Sequence, residues 1–241
     1  MVAEVTRMPD LVARLAGTLI VSCQAYPGEP LRHPGTMARM AEAVVAGGAA
    51  AVRVQGLADI AAVRGRVDVP VVGLWKDGPG PVSITPTLRH ARAVLHAGAD
   101  VVALDGTRRS RPDGLGLAAT IRHLREAGDH GGAVVMADCG SVDDALAARD
   151  AGADLLGTTL AGYTGERPRT EGPDLDVLAR IVDRVPELPV VAEGRIHTPD
   201  QARACLRAGA HAVVVGTAIT HLTTTTSWFR DALADGPAVG G

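Results

Sequence analysis

Three features of this sequence predict an α/β fold, specifically a (β/α)8 barrel of the phosphate-binding type. Eight short β-branched runs recur along the 241 residues, and segments rich in Ala, Leu, Arg and Glu lie between them. Strands that alternate with helices pair in parallel through βαβ units. Several helical segments end in one small phrase: AGGAA at 46–50, AGAD at 97–100 and 151–154, and AGAH at 208–211. Glycine there supplies the left-handed conformation that closes a helix. Eight units in this length match a closed barrel, which typically runs to ~250 residues. An open doubly wound sheet is the weaker option, because no GxGxxG follows the first run.

In chain order, Met1 to Gly17 reads as a short lead-in helix that Gly17 ends. The predicted strands are Thr18–Gln24, Ala50–Gln55, Val69–Lys76, Asp100–Gly106, Ala133–Cys139, Asp154–Leu160, Pro189–Gly194 and His211–Thr217. Gly78-Pro79-Gly80-Pro81 is a loop after the third strand rather than a linker, so residues 1–241 form one domain. Thr198 is expected as an N-cap, with Pro199 at the first helical position. Thr223–Thr226 falls within or beside the last helix, and 235–241 should be a frayed tail.

Composition narrows the partners. Apolar residues make up 46 % of the chain, and the net charge is −3 without a long run of one sign. That argues against nucleic acid. No segment has the apolar length of a membrane span, and MVAEVTRMPD does not resemble a signal peptide, so a cytoplasmic protein is expected. Cys23, Cys139 and Cys205 are odd in number and unclustered, as reduced thiols are.

Barrels of this kind do their chemistry at the C-terminal ends of the strands. Here those ends carry Gln24, Arg53 and Gln55, Lys76, Asp105, Asp138, Thr158-Thr159, Glu193, and Gly216-Thr217 in order. Strand alternation puts Leu74 and Val72 on the same inner side as Lys76. It likewise puts Met136 and Val134 with Asp138, and Val191 with Glu193. A lysine held among apolar walls near Arg53 should lose part of its affinity for a proton, which would let it act as a base. Glu193 and Asp138 can exchange protons, hold that lysine or bind hydroxyls. The bland reading of all three is an ion network closing the barrel mouth, and Asp105 could simply orient Arg108 or Arg109. Gly194-Arg195 and Gly216-Thr217 follow the seventh and eighth strands, where such barrels often bind phosphate through backbone N–H groups. Of the histidines, His33, His197 and His221 fall near the mouth, while His90, His96, His123 and His130 are expected on helix surfaces. No His/Asp set at the strand ends offers a metal site, so neither metal nor cofactor is expected.

The segments SCQAYPGEPL (22–31), ITPT (84–87), ALDGTRRSRPDG (103–114), ADCGS (137–141), GTTLAGYT (157–164), VVAEGRIHTPDQA (190–202) and VVVGTAIT (213–220) occur together and in order. They resemble the N-acetylmannosamine-6-phosphate 2-epimerase family over nearly the whole chain after Gly17. The resemblance implies a metal-independent, usually oligomeric barrel enzyme of amino-sugar and sialic acid breakdown, acting on a small sugar phosphate. It implies Lys76 as the base at C2, Glu193 as the second acid/base group and Asp138 as support. Gln24, Arg53 and Tyr163 would bind substrate, and Gly194, Arg195, Gly216 and Thr217 would hold the phosphate. Three departures stand out: His221-Leu222 where the family commonly has arginine then proline, LWKDGPGPVS around the lysine, and Arg53 in VRVQG. Two other readings remain open, another phosphate-sugar barrel enzyme (pentose-phosphate epimerase, isomerase or Schiff-base aldolase) and a sugar-phosphate sensor without catalysis. Trp228 and Phe229, near the end of a chain poor in aromatics, point to a dimer face.

Overall fold

Eight parallel strands close on themselves: β1 Thr18–Cys23, β2 Ala51–Gln55, β3 Val71–Leu74, β4 Val101–Asp105, β5 Val134–Asp138, β6 Leu155–Gly157, β7 Val190–Glu193 and β8 Ala212–Val215. Each pairs with its neighbours in sequence, and Thr18 opposite Ala212 joins β1 back to β8. The computed structural model describes residues 8–126 and 132–234. The expected tail at 235–241, the first seven residues of the lead-in helix, and His130 lie outside them.

All eight predicted strands are present, each shorter than the apolar run that announced it. The third and sixth shorten most, because their ends turn into loops that build the mouth. The helices are α1 Met8–Arg14, α2 Pro34–Ala46, α3 Leu57–Arg64, α4 Leu88–His96, α5 Leu117–Glu126, α6 Val142–Asp150, α7 Leu175–Arg184, α8 Pro199–Arg207, α9 Thr217–Thr220 and α10 Leu222–Ala234. The repeated AG phrase closes four of them with Gly48, Gly98, Gly152 and Gly209 at φ +99°, +105°, +90° and +95°. A side chain there would force the strained left-handed region. Thr198 caps α8 with the reciprocal Gln201 bond of a capping box, ahead of Pro199.

Two concentric apolar layers result. Inside the barrel lie Ile20, Ala51, Val72, Leu74, Val101, Ala103, Val134, Met136, Leu155, Val191, Ala212 and Val214. They alternate along each strand with outward residues such as Val21, Val52, Val135 and Val213, which meet the helices. Every inner partner predicted by alternation falls in the inner layer. Leu11 and Leu15 of the lead-in segment join that layer and are almost fully buried, so α1 stoppers the N-terminal end of the barrel. Burying a leucine this way contributes about 2 kcal/mol. The open end is therefore the C-terminal one.

The outer helix layer has a gap. α10 has no buried residue, and Leu222, Phe229 and Leu233 are 58 %, 75 % and 82 % exposed. Beside it runs an apolar groove lined by Leu19, Val213, Val215, Leu206, Ala218 and Ile219, over the outer faces of β8 and β1.

Candidate active site

The mouth encloses a cavity of 420 Å³ bordered by residues from most strand ends, including Gln24, Arg53, Lys76, Asp105, Thr159, Glu193 and Gly216. At its floor stands Arg53 on β2, 1 % exposed. Its guanidinium grips Asp138 at both oxygens, at 3.2 and 2.6 Å, and lies 2.9 Å from Glu193 Oε2. Burial opposes the guanidinium charge, but Asp138 and Glu193 outweigh it and hold the charge firmly in place. A planar fork suits this double task, which a lysine could not perform.

Thr158 and Thr159, at the end of β6, fix the carboxylates. The Thr158 hydroxyl accepts from Glu193 N at 2.9 Å and donates to Glu193 O at 3.0 Å, pinning the backbone. The Thr159 hydroxyl donates to Asp138 Oδ1 at 2.6 Å and lies 3.2 Å from Glu193 Oε2. A hydroxyl has one proton to give. With that proton on Asp138, the Thr159–Glu193 contact is satisfied when Glu193 carries its own proton. The electrostatics agree: burial pushes Glu193 up to about 7, with Arg53 opposing and Asp138 reinforcing the push. Asp138 itself is fully buried beneath the cavity, gripped by Arg53 and Thr159. The lysine's hydrogen-bond partner is Gln24 instead, with Lys76 Nζ donating to Gln24 Oε1 at 3.0 Å.

Lys76 lies beyond the end of β3, not on it. Residues 75–85 double back as a hairpin: Lys76 bridges Ile84 in antiparallel register, Asp77 N donates to Ser83 O, and Thr85 N donates to Trp75 O. Gly78-Pro79-Gly80-Pro81 forms the tip. Thr85 takes φ +45° to make the turn, an uncommon conformation for a β-branched residue. Ile84 then drops into the inner apolar layer. Desolvation by the surrounding walls lowers the lysine's affinity for its proton, and Arg53 adds to the effect. Because Lys76 still meets solvent through the open mouth, a ligand that expels that water strengthens the push.

His90 corrects an expectation. It is buried rather than on a helix surface, bonded to Asp77 Oδ2 at 2.9 Å and to Thr87 at 2.6 Å, with Trp75 against its ring. Asp105 accepts from Arg109, as one of its two expected partners, while Arg108 turns to Asp144 and Glu166. Cys139 lies in the outer layer, as alternation requires.

On the opposite side of the mouth, Gly194 at φ +109° and Arg195 at φ +56° carry the chain past β7. The Arg195 guanidinium turns away to donate to Gly172 O, Ala161 O and the Thr170 hydroxyl, and it lies 5.3 Å from the Tyr163 ring. It staples the β6–α7 loop to β7. Gly216 starts α9 with no side-chain cap. His221, beyond α9, lies 2.6 Å from Glu29 and edge-on to Tyr26. Tyr26, Ser83 and Ile84 border the cavity without having been singled out from the sequence. They sit on loops, where no periodicity marks direction. Among the described residues no three His, Cys, Asp or Glu side chains converge to hold a metal ion, and no helix is long and apolar enough to cross a membrane.

A closed (β/α)8 barrel with a lysine and a buried glutamic acid of raised pKa bordering one cavity defines a barrel equipped for acid–base chemistry. The family model described as "Putative N-acetylmannosamine-6-phosphate epimerase" matches residues 37–235. The chain is 68 % identical, over 92 % of its length and 96 % of the relative's, to a "Putative N-acetylmannosamine-6-phosphate 2-epimerase" of Cutibacterium acnes. It is 44 % identical to a protein of the same description from Caldanaerobacter subterraneus, over 88 % and 89 % of the two chains. The solved structure of N-acetylmannosamine-6-phosphate 2-epimerase from Clostridium perfringens superposes with a TM-score of 0.87 at 35 % identity, covering 92 % of this chain and 96 % of that one. The chain belongs to the N-acetylmannosamine-6-phosphate epimerase family.

Proposed function

We propose that the protein interconverts N-acetylmannosamine 6-phosphate and N-acetylglucosamine 6-phosphate by moving a proton at C2, within amino-sugar and sialic acid breakdown. The observation that carries the chemistry is that Lys76 and Glu193 border one cavity, where burial lowers the lysine's affinity for its proton and raises that of the glutamate. The first change favours action as a base and the second action as an acid. The sugar ring opens to expose the C1 aldehyde. Lys76 then takes the C2 proton, and the bonding pair moves into the C1–C2 bond as the carbonyl oxygen becomes an enolate. Glu193 and the Arg53 charge behind it stabilise that oxygen. A proton returned to the other face of C2 completes the inversion.

Asp138 serves as a positioning residue that holds Arg53, and Gln24 orients the lysine. Backbone N–H groups at Gly194-Arg195 and Gly216-Thr217 take the phosphate, with Tyr163 beside them; this grip holds the opened chain in place. No cofactor is required. Three buried, unpaired cysteines support a reducing, cytoplasmic setting. The exposed face of α10 and the adjacent apolar groove support a homodimer.

The test is proton NMR of chelator-treated protein with N-acetylmannosamine 6-phosphate in D2O. N-acetylglucosamine 6-phosphate carrying deuterium at C2 is the expected product. Lys76→Ala should lower the rate about 10²–10⁴-fold, as loss of a general base does. A bound substrate whose C2 hydrogen never exchanges sinks the reading.

A further inference from the structure

The substrate proposed above carries an acyl group on the nitrogen at C2, and the residues discussed so far leave that group unrecognised. The wall beside Lys76 supplies what it needs. Lys76 is bridged to Ile84, and Ile84 O accepts from Asp105 N at 3.0 Å, so Lys76, Ile84 and Asp105 are consecutive along one wall. In the eight-strand ring β4 stands four strands round from β8. The wall therefore faces Gly216 across the mouth. A sugar held by its phosphate at β7 and β8, with C2 at Lys76, directs its C2 substituent toward β3 and β4.

A secondary amide presents one N–H donor, one carbonyl acceptor and, here, a methyl group. Asp105, 1 % exposed on the cavity border, accepts from Thr107 N at 3.0 Å, Thr107 Oγ1 at 2.5 Å and Arg109 Nη2 at 2.8 Å. A carboxylate has about four acceptor positions, so one remains. Arg109 Nε goes to the Thr107 hydroxyl at 2.9 Å. The guanidinium thus keeps donors beyond those given to Asp105 and Thr107. Ile84 and Pro81 add an apolar patch at the same border. Acceptor, donor and apolar surface thus border the same cavity, the three features an acetamido group presents a partner for. The wall is also rigidly built: Arg111 is buried and donates to the backbone oxygens of Asp105, Thr85 and Pro86, and Thr85 is held in its strained conformation. Strain retained at such a place is a mark of function.

We propose that Asp105, Arg109 and Ile84 form the subsite for the N-acyl group: Arg109 donates to the acyl oxygen, Asp105 accepts from the amide N–H, and Ile84 packs the methyl. The choice of substrate rests on the epimerase reading; the subsite itself is read from the wall. A site built around paired polar groups discriminates strongly against ligands that leave them unpaired.

The experiment compares binding of N-acetylglucosamine 6-phosphate with that of 2-deoxyglucose 6-phosphate, which has the same chain and phosphate but no C2 substituent. The full-length protein should favour the acetylated ligand. Arg109→Gln should erode that preference about tenfold or more, the cost of a charged hydrogen bond, and leave 2-deoxyglucose 6-phosphate unchanged. Should Arg109→Gln fail to fold, Ile84→Ala decides: its kcat/KM ratio for N-propanoyl over N-acetyl mannosamine 6-phosphate should rise about tenfold, the scale of one methylene in a pocket. Equal weakening of both ligands by Arg109→Gln, or an unchanged acyl ratio in Ile84→Ala, overturns the proposal. If wild-type protein binds with the expected preference but does not exchange the C2 hydrogen, the epimerase reading fails and the subsite stands.

Discussion

Arg53 holds two carboxylates at once, and what each does follows from how much of that charge it receives. Asp138 takes two aligned bonds and is fully buried. Glu193 takes a single close contact and keeps an opening to the cavity. The sequence placed both carboxylates at the mouth, and the family resemblance marked Glu193 as the acid/base group and Asp138 as support; the physical reason, bond geometry across β2, β5 and β7, is not carried by any sequence pattern. The consequence for Glu193 is measurable as stability. Its folded pKa is raised from 4.5 to about 7, so the folded state holds the proton more tightly than the unfolded chain does. Its contribution is therefore full below about 4.5 and is lost as pH rises through about 7. Above that range the ionised side chain costs stability, with roughly 3 kcal/mol as the upper bound for such a shift. Glu193→Gln, which stays neutral, should match wild type at pH 4 and exceed it in thermal midpoint at pH 8. Equal midpoints at both pH values would show that Glu193 is not perturbed. The same variant should lose turnover, as expected when an active site is retained at the expense of stability.

At the scale of elements, the strands were legible because burial on both faces of a parallel sheet leaves near-continuous apolar runs. The helix ends were legible because only glycine fits their left-handed closing residue. The hairpin that presents Lys76 was not. It is held by Thr85 at φ +45°, by backbone bonds to Trp75 and Asp77, and by Arg111 from beyond β4, contacts set by tertiary structure and invisible to periodicity. His90 was misread for the same reason: its helical position looks like surface, but Asp77 and Trp75 fold over it. β6 shows the reverse case, where a plain residue has a specific task. A Cβ on Gly157 would lie 2.6 Å from Met136 Cε and 2.9 Å from Asp138 Oδ1. The missing side chain is what lets Asp138 reach Arg53 and Thr159. Gly157→Ala should destabilise the protein by about 1–3 kcal/mol through overpacking. It should also reduce turnover more than substrate binding, because the displaced groups stand behind Glu193. Urea unfolding and steady-state kinetics check the two parts, and unaltered kcat would show that the Asp138–Arg53 geometry is not required.

At the scale of the whole molecule, the barrel is stoppered at one end by α1 and incompletely covered on one side. Each strand of such a barrel has its outward face covered by helices, yet a groove runs over β8 and β1, and α10, the last helix after β8, has no fully buried residue. Leu222, Phe229 and Leu233, three large apolar side chains of one helix, are left in water. A helix with an unburied apolar face and a groove lacking its helix are complementary halves. In a two-fold dimer each copy offers both, so the contact closes and no further copies add. Light scattering on the purified protein should therefore give twice the chain mass. Phe229→Asp combined with Leu233→Asp places charges where desolvation would be costly. It should give monomers whose circular dichroism still reports an intact barrel, because neither side chain contributes to either apolar layer. A wild-type protein that runs as a monomer would assign the groove to something other than a second copy of this chain. A double variant that stays dimeric would place the interface away from α10.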